Sequence, residues 1–311
     1  MSVAAPPESP PSPTASPDAH PSGPPRRRRH LPEWLKGNLL LLPTSIWFIF
    51  LLVIPMLIVI EYSLGKRGIV DPVRFTWNSL HYSNYKDALD PDRLPIFVRS
   101  IEYAGISTLA CVALGFPLAY WIARFGGKLR NIYLVLVIIP FLTSYLIRIY
   151  AWQVILQNNG LLNRLLGDIG LGRDHVFLNH HFAVILGLTY GFLPFMILPL
   201  YASIERMDFA LVEASYDLGH AKVSTFFRVI LPTVAPGLVA GILLVFIPAV
   251  GDFVTPQLLG GVRTQMIGNT IADQFGGSQN WPLGSAMSVL LMLFILGGVF
   301  VYLRRVGEDA L

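Results

Sequence analysis

Residues 205–232 read ERMDFALVEASYDLGHAKVSTFFRVILP, a polar stretch that lies between two long apolar runs. The run before it covers residues 182–204, and the run after it covers residues 233–255. Each run is long enough to cross a membrane, because an α-helix needs roughly 20 residues to span a bilayer core of about 30 Å. The sequence therefore predicts that residues 205–232 connect two transmembrane helices.

Further apolar runs and the overall composition extend this prediction to the whole chain. Hydrophobic residues make up 53% of the 311 residues and charged residues only 14%. Soluble proteins carry roughly 25% charged residues, because their surfaces face water. The sequence predicts an all-α integral membrane protein with six transmembrane helices in one domain over residues 39–311. The predicted spans are residues 39–60, 101–123, 132–152, 182–204, 233–255 and 283–303.

The amino-terminal segment, residues 1–38, has a different composition. Ten prolines fall within its first 32 residues, and the arginine block Arg26–Arg29 follows most of them. Such a segment has too little apolar surface to offset the entropy lost on ordering, so we predict that it is disordered. The arginine block is expected to orient the first span and to contact anionic membrane lipids rather than nucleic acid.

The distribution of basic residues predicts the orientation of the chain. The short connection 124–131 contains three lysines and arginines, whereas the connection 256–282 contains one. Short cytoplasmic loops are enriched in lysine and arginine. Both termini, and with them residues 205–232, are therefore predicted to be cytoplasmic.

Local signals within residues 205–232 predict two short helices with a tight turn between them. Asp208 is well placed to cap the first helix, and Gly219 fits the left-handed position that ends it. A second helix is expected from about Ala221, before Pro232 opens the fifth span. This pattern alone is equally compatible with an amphipathic connection at the membrane surface that binds no partner.

The spacing within this connection resembles the EAA signature of ABC importer permeases. That family pattern is Glu-Ala-Ala, three residues, Gly, nine residues, Ile, any residue, Leu-Pro. Ser215 replaces the second Ala, and Val229 replaces the Ile. In the family, this loop is the coupling helix that docks on the ATP-binding subunit of a type I importer. The residues to which the resemblance assigns this role are Glu213, Ala214, Ser215, Gly219, Ile230, Leu231 and Pro232.

Other stretches are similar to one branch of the family, the first permease of spermidine/putrescine importers. They include residues 140–145, 148–152, 159–163 and 248–256. The resemblance implies a small cationic solute. Importers of ferric iron, sulfate or other small solutes share parts of the pattern and remain the alternative.

The resemblance also implies a set of partners. They are two copies of an ATP-binding subunit, a second homologous permease and an extracytoplasmic solute-binding protein, assembled in a bacterial inner membrane. The chain contains no Gly-x4-Gly-Lys-Ser/Thr phosphate loop, so we expect it to bind no cofactor, with ATP and Mg²⁺ held by the partner ATPase. A membrane-embedded enzyme is disfavoured because the sequence shows no catalytic motif. A stand-alone secondary transporter is disfavoured because clear internal repeats are absent.

Two charged residues within predicted spans are candidates for the solute path, since ionisable groups in membranes are rare and often functional. Arg148 and Asp252 both fall toward the outer end of their spans. They could form an ion pair, face solvent separately or line the path, in which case Asp252 would attract an ammonium group. Tyr145 and Trp281 are further candidates through cation–π contacts, and Gly251 beside nearby prolines predicts a broken helix.

Overall fold

The apolar runs form long helices in the computed structural model, which describes residues 43–67, 81–169 and 176–308. The predicted disordered tail, residues 1–38, lies outside the described residues. Within the described ranges the chain is helical and its helices are joined by short turns. The prediction of an all-α membrane fold is confirmed.

We number the helices in chain order. They are α1 (Pro43–Ser63), α2 (Ser83–Ala88), α3 (Leu94–Phe125), α4 (Arg130–Ile138), α5 (Tyr145–Leu156), α6 (Leu161–Asp168), α7 (His181–Glu205), α8 (Ala210–Asp217), α9 (Lys222–Gly251), α10 (Val254–Leu259), α11 (Ile267–Phe275) and α12 (Trp281–Glu308).

Five of these helices are long and apolar enough to cross a membrane: α1, α3, α7, α9 and α12. A sixth span exists only if the segments Gly127–Leu142 and Tyr145–Asp168 are counted together, and these are bent by 86° relative to each other. The prediction of one continuous helix over 132–152 is therefore wrong. Pro140 lacks a backbone N–H, Thr143 is extended, and the Thr143 hydroxyl donates to the Pro140 carbonyl at 2.7 Å, which stabilises the break.

The fifth span also differs from its prediction at the amino-terminal end. Pro232 does not open it, because α9 already begins at Lys222 and continues through a π-helical turn at Phe226–Ile230. A proline in the first turn after that π-helical segment is compatible with a continuing helix. The predicted break at the other end is confirmed: the helix ends at Gly251, Asp252 is extended and α10 starts at Val254.

Helices α3, α7 and α9 pack against one another and form the main core of residues 55–308. Two glycines of α9 allow close approach to α7. A Cβ atom added at Gly237 would lie 2.3 Å from Cβ of Ser203, and one at Gly241 would lie 2.7 Å from Sδ of Met196. Small residues let membrane helices pack closely in the absence of a hydrophobic driving force.

The outward faces of the long helices are apolar. Leu109 of α3 is 70% exposed, and Leu293 and Phe294 of α12 are also exposed. Residues 43–54 of α1, taken by themselves, expose Trp47, which stacks on Phe50. Extended apolar surfaces of this kind match lipid rather than water as their surroundings.

Candidate functional site

The connection between α7 and α9 forms the compact turn that the sequence predicts. The carboxylate Oδ1 of Asp208 accepts the N–H of Ala210 at 2.9 Å, so Asp208 caps the first turn of α8. Gly219 has φ of +82°, which confirms the predicted left-handed position. Space around Gly219 is open, because nothing would lie within 4 Å of an added Cβ. The requirement for glycine here comes from backbone conformation alone.

The inner face of this turn contains a buried hydrogen bond between its two helices. The hydroxyl groups of Ser215 and Thr225 lie 3.0 Å apart, and both side chains are buried. Serine in place of the alanine of the EAA pattern therefore gains a specific partner across the turn. Sequence reasoning missed Thr225, although it is a polar residue within the apolar face of the second helix.

Packing of the turn against the membrane core fixes its position. Ile230 is buried, and Val212 of α8 is buried in the same cluster. The ring of Phe226 contacts Phe116 of α3 edge-on, with 5.1 Å between ring centroids. These contacts hold α8 and the start of α9 against the ends of the spans.

The opposite face of the turn is exposed and largely apolar. Leu218 is 78% exposed and Val223 is 69% exposed. Several further apolar side chains of the connection are also exposed, and exposed apolar groups outside the spans are candidates for an interaction site. We call this surface the exposed face of the connection, and its members are Leu211, Tyr216, Leu218, Val223 and Phe227.

The other EAA residues divide between these two faces. Glu213 and Ala214 are exposed, whereas Ser215 is buried. The Oε1 atom of Glu213 forms an ion pair with Nη2 of Arg124 at 2.9 Å. Leu231 is half-buried and Pro232 is exposed at the start of the span.

A second polar cluster lies at the break between α9 and α10. The carboxylate of Asp252 is buried, and its Oδ2 atom accepts hydrogen bonds from the hydroxyl groups of Tyr145 at 2.6 Å and Thr255 at 2.5 Å. Its Oδ1 atom accepts the N–H of Val254 at 2.9 Å. Asp252 therefore caps α10 and joins the break to the start of α5. The sequence analysis did not predict Thr255 as a member of this cluster. Its position three residues after Asp252, in the first turn of a new helix, is the one feature of the sequence that could have indicated it.

Arg148 lies beside this cluster but does not pair with Asp252. Its guanidinium lies over the rings of Phe141, at 5.0 Å, and Tyr145, at 5.5 Å. Arg148 is 9% exposed, and its Nε atom has no hydrogen-bond partner in the described part of the chain. Of the three arrangements that the sequence left open, the Arg148–Asp252 ion pair is not formed among the described residues.

The four residues predicted for the solute path are thus only partly brought together. Tyr145, Arg148 and Asp252 form one cluster. Trp281 packs elsewhere, against Tyr62 and Phe275. Within the described ranges, no three His, Cys, Asp or Glu side chains are grouped in a way that could hold a metal ion.

The fold and these two sites define a class of membrane transport protein. The family model described as "Binding-protein-dependent transport system inner membrane component" matches residues 115–305, a range that contains both the 205–232 connection and the Asp252 cluster. Two solved bacterial ABC transporters have the same fold. A crystal structure of an importer of the acidic polysaccharide alginate matches with a TM-score of 0.64 and 20% identity over 88% of this chain and 96% of that chain. A complex of a bacterial alginate ABC transporter with its pentasaccharide-bound periplasmic protein gives a TM-score of 0.67 at 19% identity.

Curated relatives are more similar in sequence. The spermidine/putrescine transport system permease protein PotB of Haemophilus influenzae is 42% identical over 259 residues, which is 83% of this chain and 90% of the relative. The PotB protein of Escherichia coli K12 is 39% identical over 83% of this chain and 93% of the relative. The chain belongs to the family of inner membrane permease components of binding-protein-dependent ABC importers.

Proposed function

We propose that this chain forms half of the path through which an ATP-driven importer moves polyamines such as spermidine and putrescine. The observation that carries the proposal is the 42% identity to a spermidine/putrescine permease over 83% of this chain and 90% of the relative. Polyamines are multiply charged cations of small cross-section. A permease that admits them needs acidic and aromatic groups in its path.

We further propose that the 205–232 connection is cytoplasmic and docks on an ATP-binding subunit. Its exposed face offers Leu218 and Val223 to a partner, and the Glu213 side chain of the same connection is 65% exposed. A surface that exposes both apolar and charged side chains has a composition suited to a protein interface. Two ATP-binding subunits, with ATP and Mg²⁺, would drive the movement, and this chain itself would bind no nucleotide.

The remaining partners complete the importer. A second, homologous permease supplies the other half of the path, and an extracytoplasmic binding protein delivers the solute. We propose that both termini of this chain are cytoplasmic. The three basic residues of the connection 124–131 support that orientation.

For the solute path, we propose Asp252 as the carboxylate that an ammonium group meets. In the present arrangement Tyr145 and Thr255 occupy its Oδ2 atom, and the cation Arg148 lies over the Tyr145 ring. A solute would therefore reach Asp252 only after the Tyr145 hydroxyl moves away. The neighbouring helix break allows such a rearrangement, as broken helices do in other transporters.

Uptake of radiolabelled spermidine into proteoliposomes tests the proposal. The complete importer is reconstituted with its binding protein outside and ATP inside. We expect ATP-dependent spermidine uptake that excess putrescine reduces and excess sulfate or ferric citrate leaves unchanged. Accumulation of sulfate or ferric iron instead of spermidine would contradict the polyamine assignment and favour the alternative solutes.

A further inference from the structure

Arg124, at the carboxyl end of α3, contacts the start of α8 at two points. Its Nη2 atom lies 2.9 Å from Oε1 of Glu213. The same guanidinium lies over the ring of Phe209, with 4.6 Å between its central carbon and the ring centroid. Phe209 directly precedes α8, and Glu213 is in its first turn. One side chain from another helix therefore spans the beginning of α8.

The Arg124 contact joins α3 to the 205–232 connection, which does not adjoin α3 along the chain. The 205–232 connection continues from α7 and into α9, so displacement of α8 acts on those two helices through the backbone. Helix α3 is the third member of the core and reaches α8 through side chains. Tyr120 of α3 also packs edge-on against Phe209, directly before α8, with 6.2 Å between ring centroids, and Val212 of α8 belongs to the same buried cluster as Phe116 of α3.

The ion pair with Arg124 leaves part of the Glu213 carboxylate available to a partner. The Glu213 side chain is 65% exposed and the Arg124 side chain is 34% exposed, so the pair lies at the surface. Only Oε1 of the carboxylate is used in the ion pair. A cationic or N–H group of a docked protein can therefore approach the second carboxylate oxygen while Arg124 fixes the direction in which Glu213 points.

We propose that Arg124 is a positioning residue for energy coupling. It holds Glu213 and the start of α8 in the orientation that the ATP-binding subunit engages, and it transmits displacement of α8 to α3. This inference rests on the proposed function, which assigns the 205–232 connection to docking. Arginine suits the role better than lysine, because its planar guanidinium can stack on Phe209 while it pairs with a carboxylate.

The test combines four variants with a matched control. The variants are Arg124→Gln, Arg124→Lys, Glu213→Gln and the double variant Arg124→Gln/Glu213→Gln. The control is Arg130→Gln, which breaks an ion pair with Glu205 of similar length, 2.7 Å, that lies outside α8. Two quantities are measured: hydrogen exchange of the α8 amides in the permease, and solute-stimulated ATPase activity of the full importer.

We expect Arg124→Gln to speed α8 exchange and to lower the stimulated ATPase activity, each by about threefold to tenfold, the range set by a partly exposed ion pair plus a cation–π contact. Arg124→Lys should recover part of both effects, and Arg130→Gln should leave both unchanged. The double variant should lose less than the sum of the two single losses, since Arg124 and Glu213 share the ion pair while Arg124 also contacts Phe209.

Unchanged exchange and activity in Arg124→Gln would overturn the inference, and so would losses that simply add in the double variant. Failure of the underlying function gives a different result. If Leu218→Asp on the exposed face also leaves ATPase activity normal, the docking assignment itself fails. If Leu218→Asp is defective and Arg124→Gln is normal, only the positioning role is overturned.

Discussion

The two polar regions of this permease differ in what surrounds them. The 205–232 connection leaves the side chains of Leu218 and Glu213 largely exposed. The cluster at the α9–α10 break encloses Asp252 and satisfies its carboxylate with two hydroxyl groups. An exposed apolar surface requires a partner to cover it, whereas a buried and satisfied carboxylate must be uncovered before it can act. The first region thus fits the proposed docking surface, and the second fits the proposed gated contact with the solute.

The largest expected effect is that of Gly219→Val on the connection. Valine at a φ of +82° incurs a backbone penalty of roughly 1–2 kcal/mol, and it would re-aim α8 relative to α9. We expect near-normal insertion in the membrane and loss of solute-stimulated ATPase activity. Gln279→Val is the control for strain alone, because Gln279 has φ of +48° in a turn far along the chain from the connection. Normal coupling in Gly219→Val, or equal uncoupling in Gln279→Val, would remove the special role of this turn.

The next effect is that of Asp252→Asn in the buried cluster. The amide keeps the shape of the side chain but removes the negative charge that an ammonium group would meet. We expect spermidine uptake to fall by about tenfold, corresponding to roughly 1.4 kcal/mol, with the amount of assembled importer unchanged. Tyr145→Phe should have a smaller effect, since Thr255 still donates to Oδ2. Unchanged uptake in Asp252→Asn would make the cluster structural.

The stability of a variant at Arg148 shows whether this residue has an ion-pair partner. Removing one partner of a buried ion pair costs about 3–5 kcal/mol, whereas removing an unpaired buried charge is neutral or stabilising. We expect Arg148→Met to leave the thermal midpoint of the purified permease unchanged or raised. Arg130→Met, at an exposed ion pair, is the control and should cost at most about 1 kcal/mol. A marked drop for Arg148→Met would show that Arg148 has a partner in the assembled protein.

A modest loss of stability is expected at the hydrogen bond inside the turn. Ser215→Ala restores the alanine of the EAA pattern but leaves the buried Thr225 hydroxyl without its partner. We expect a loss of about 1 kcal/mol in the free energy of unfolding, measured by thermal denaturation. The double variant Ser215→Ala/Thr225→Val removes both hydroxyl groups and should be closer to wild type. Equal losses in the single and double variants would mean that the hydrogen bond contributes nothing.

Sequence patterns predicted the features that depend on local physics. Hydrophobic length predicted the spans, the need for a left-handed residue predicted Gly219, and Gly251 beside nearby prolines predicted the helix break. The prediction of one continuous helix for the third span was wrong, because apolar length alone does not show the bend that follows Pro140. The prediction that Pro232 opens the fifth span was wrong. The π-helical turn at Phe226–Ile230 joins the short helix before it to the span after it, although helix propensity alone separates the two.

Tertiary contacts account for what the sequence missed. Arg124 and Glu213 are 89 positions apart, and Tyr145 and Asp252 are 107 positions apart. No local period or motif links residues at such distances. Trp281 was predicted to line the solute path from its residue type alone. In the fold it contacts Tyr62 and Phe275 and is not part of the Asp252 cluster. Charge pairing and aromatic contacts of this kind become visible only once the helices are packed.

The central claim is that the exposed face of the 205–232 connection binds an ATP-binding subunit. Leu218→Asp tests it directly, because Leu218 is 78% exposed and the substitution should not disturb the fold. Val262→Asp is the matched control, since Val262 is 87% exposed in the α10–α11 connection. After affinity purification of the tagged chain from membranes, we predict that Leu218→Asp loses the co-purifying ATP-binding subunit while Val262→Asp retains it. Equal retention of that subunit by both variants would contradict the account.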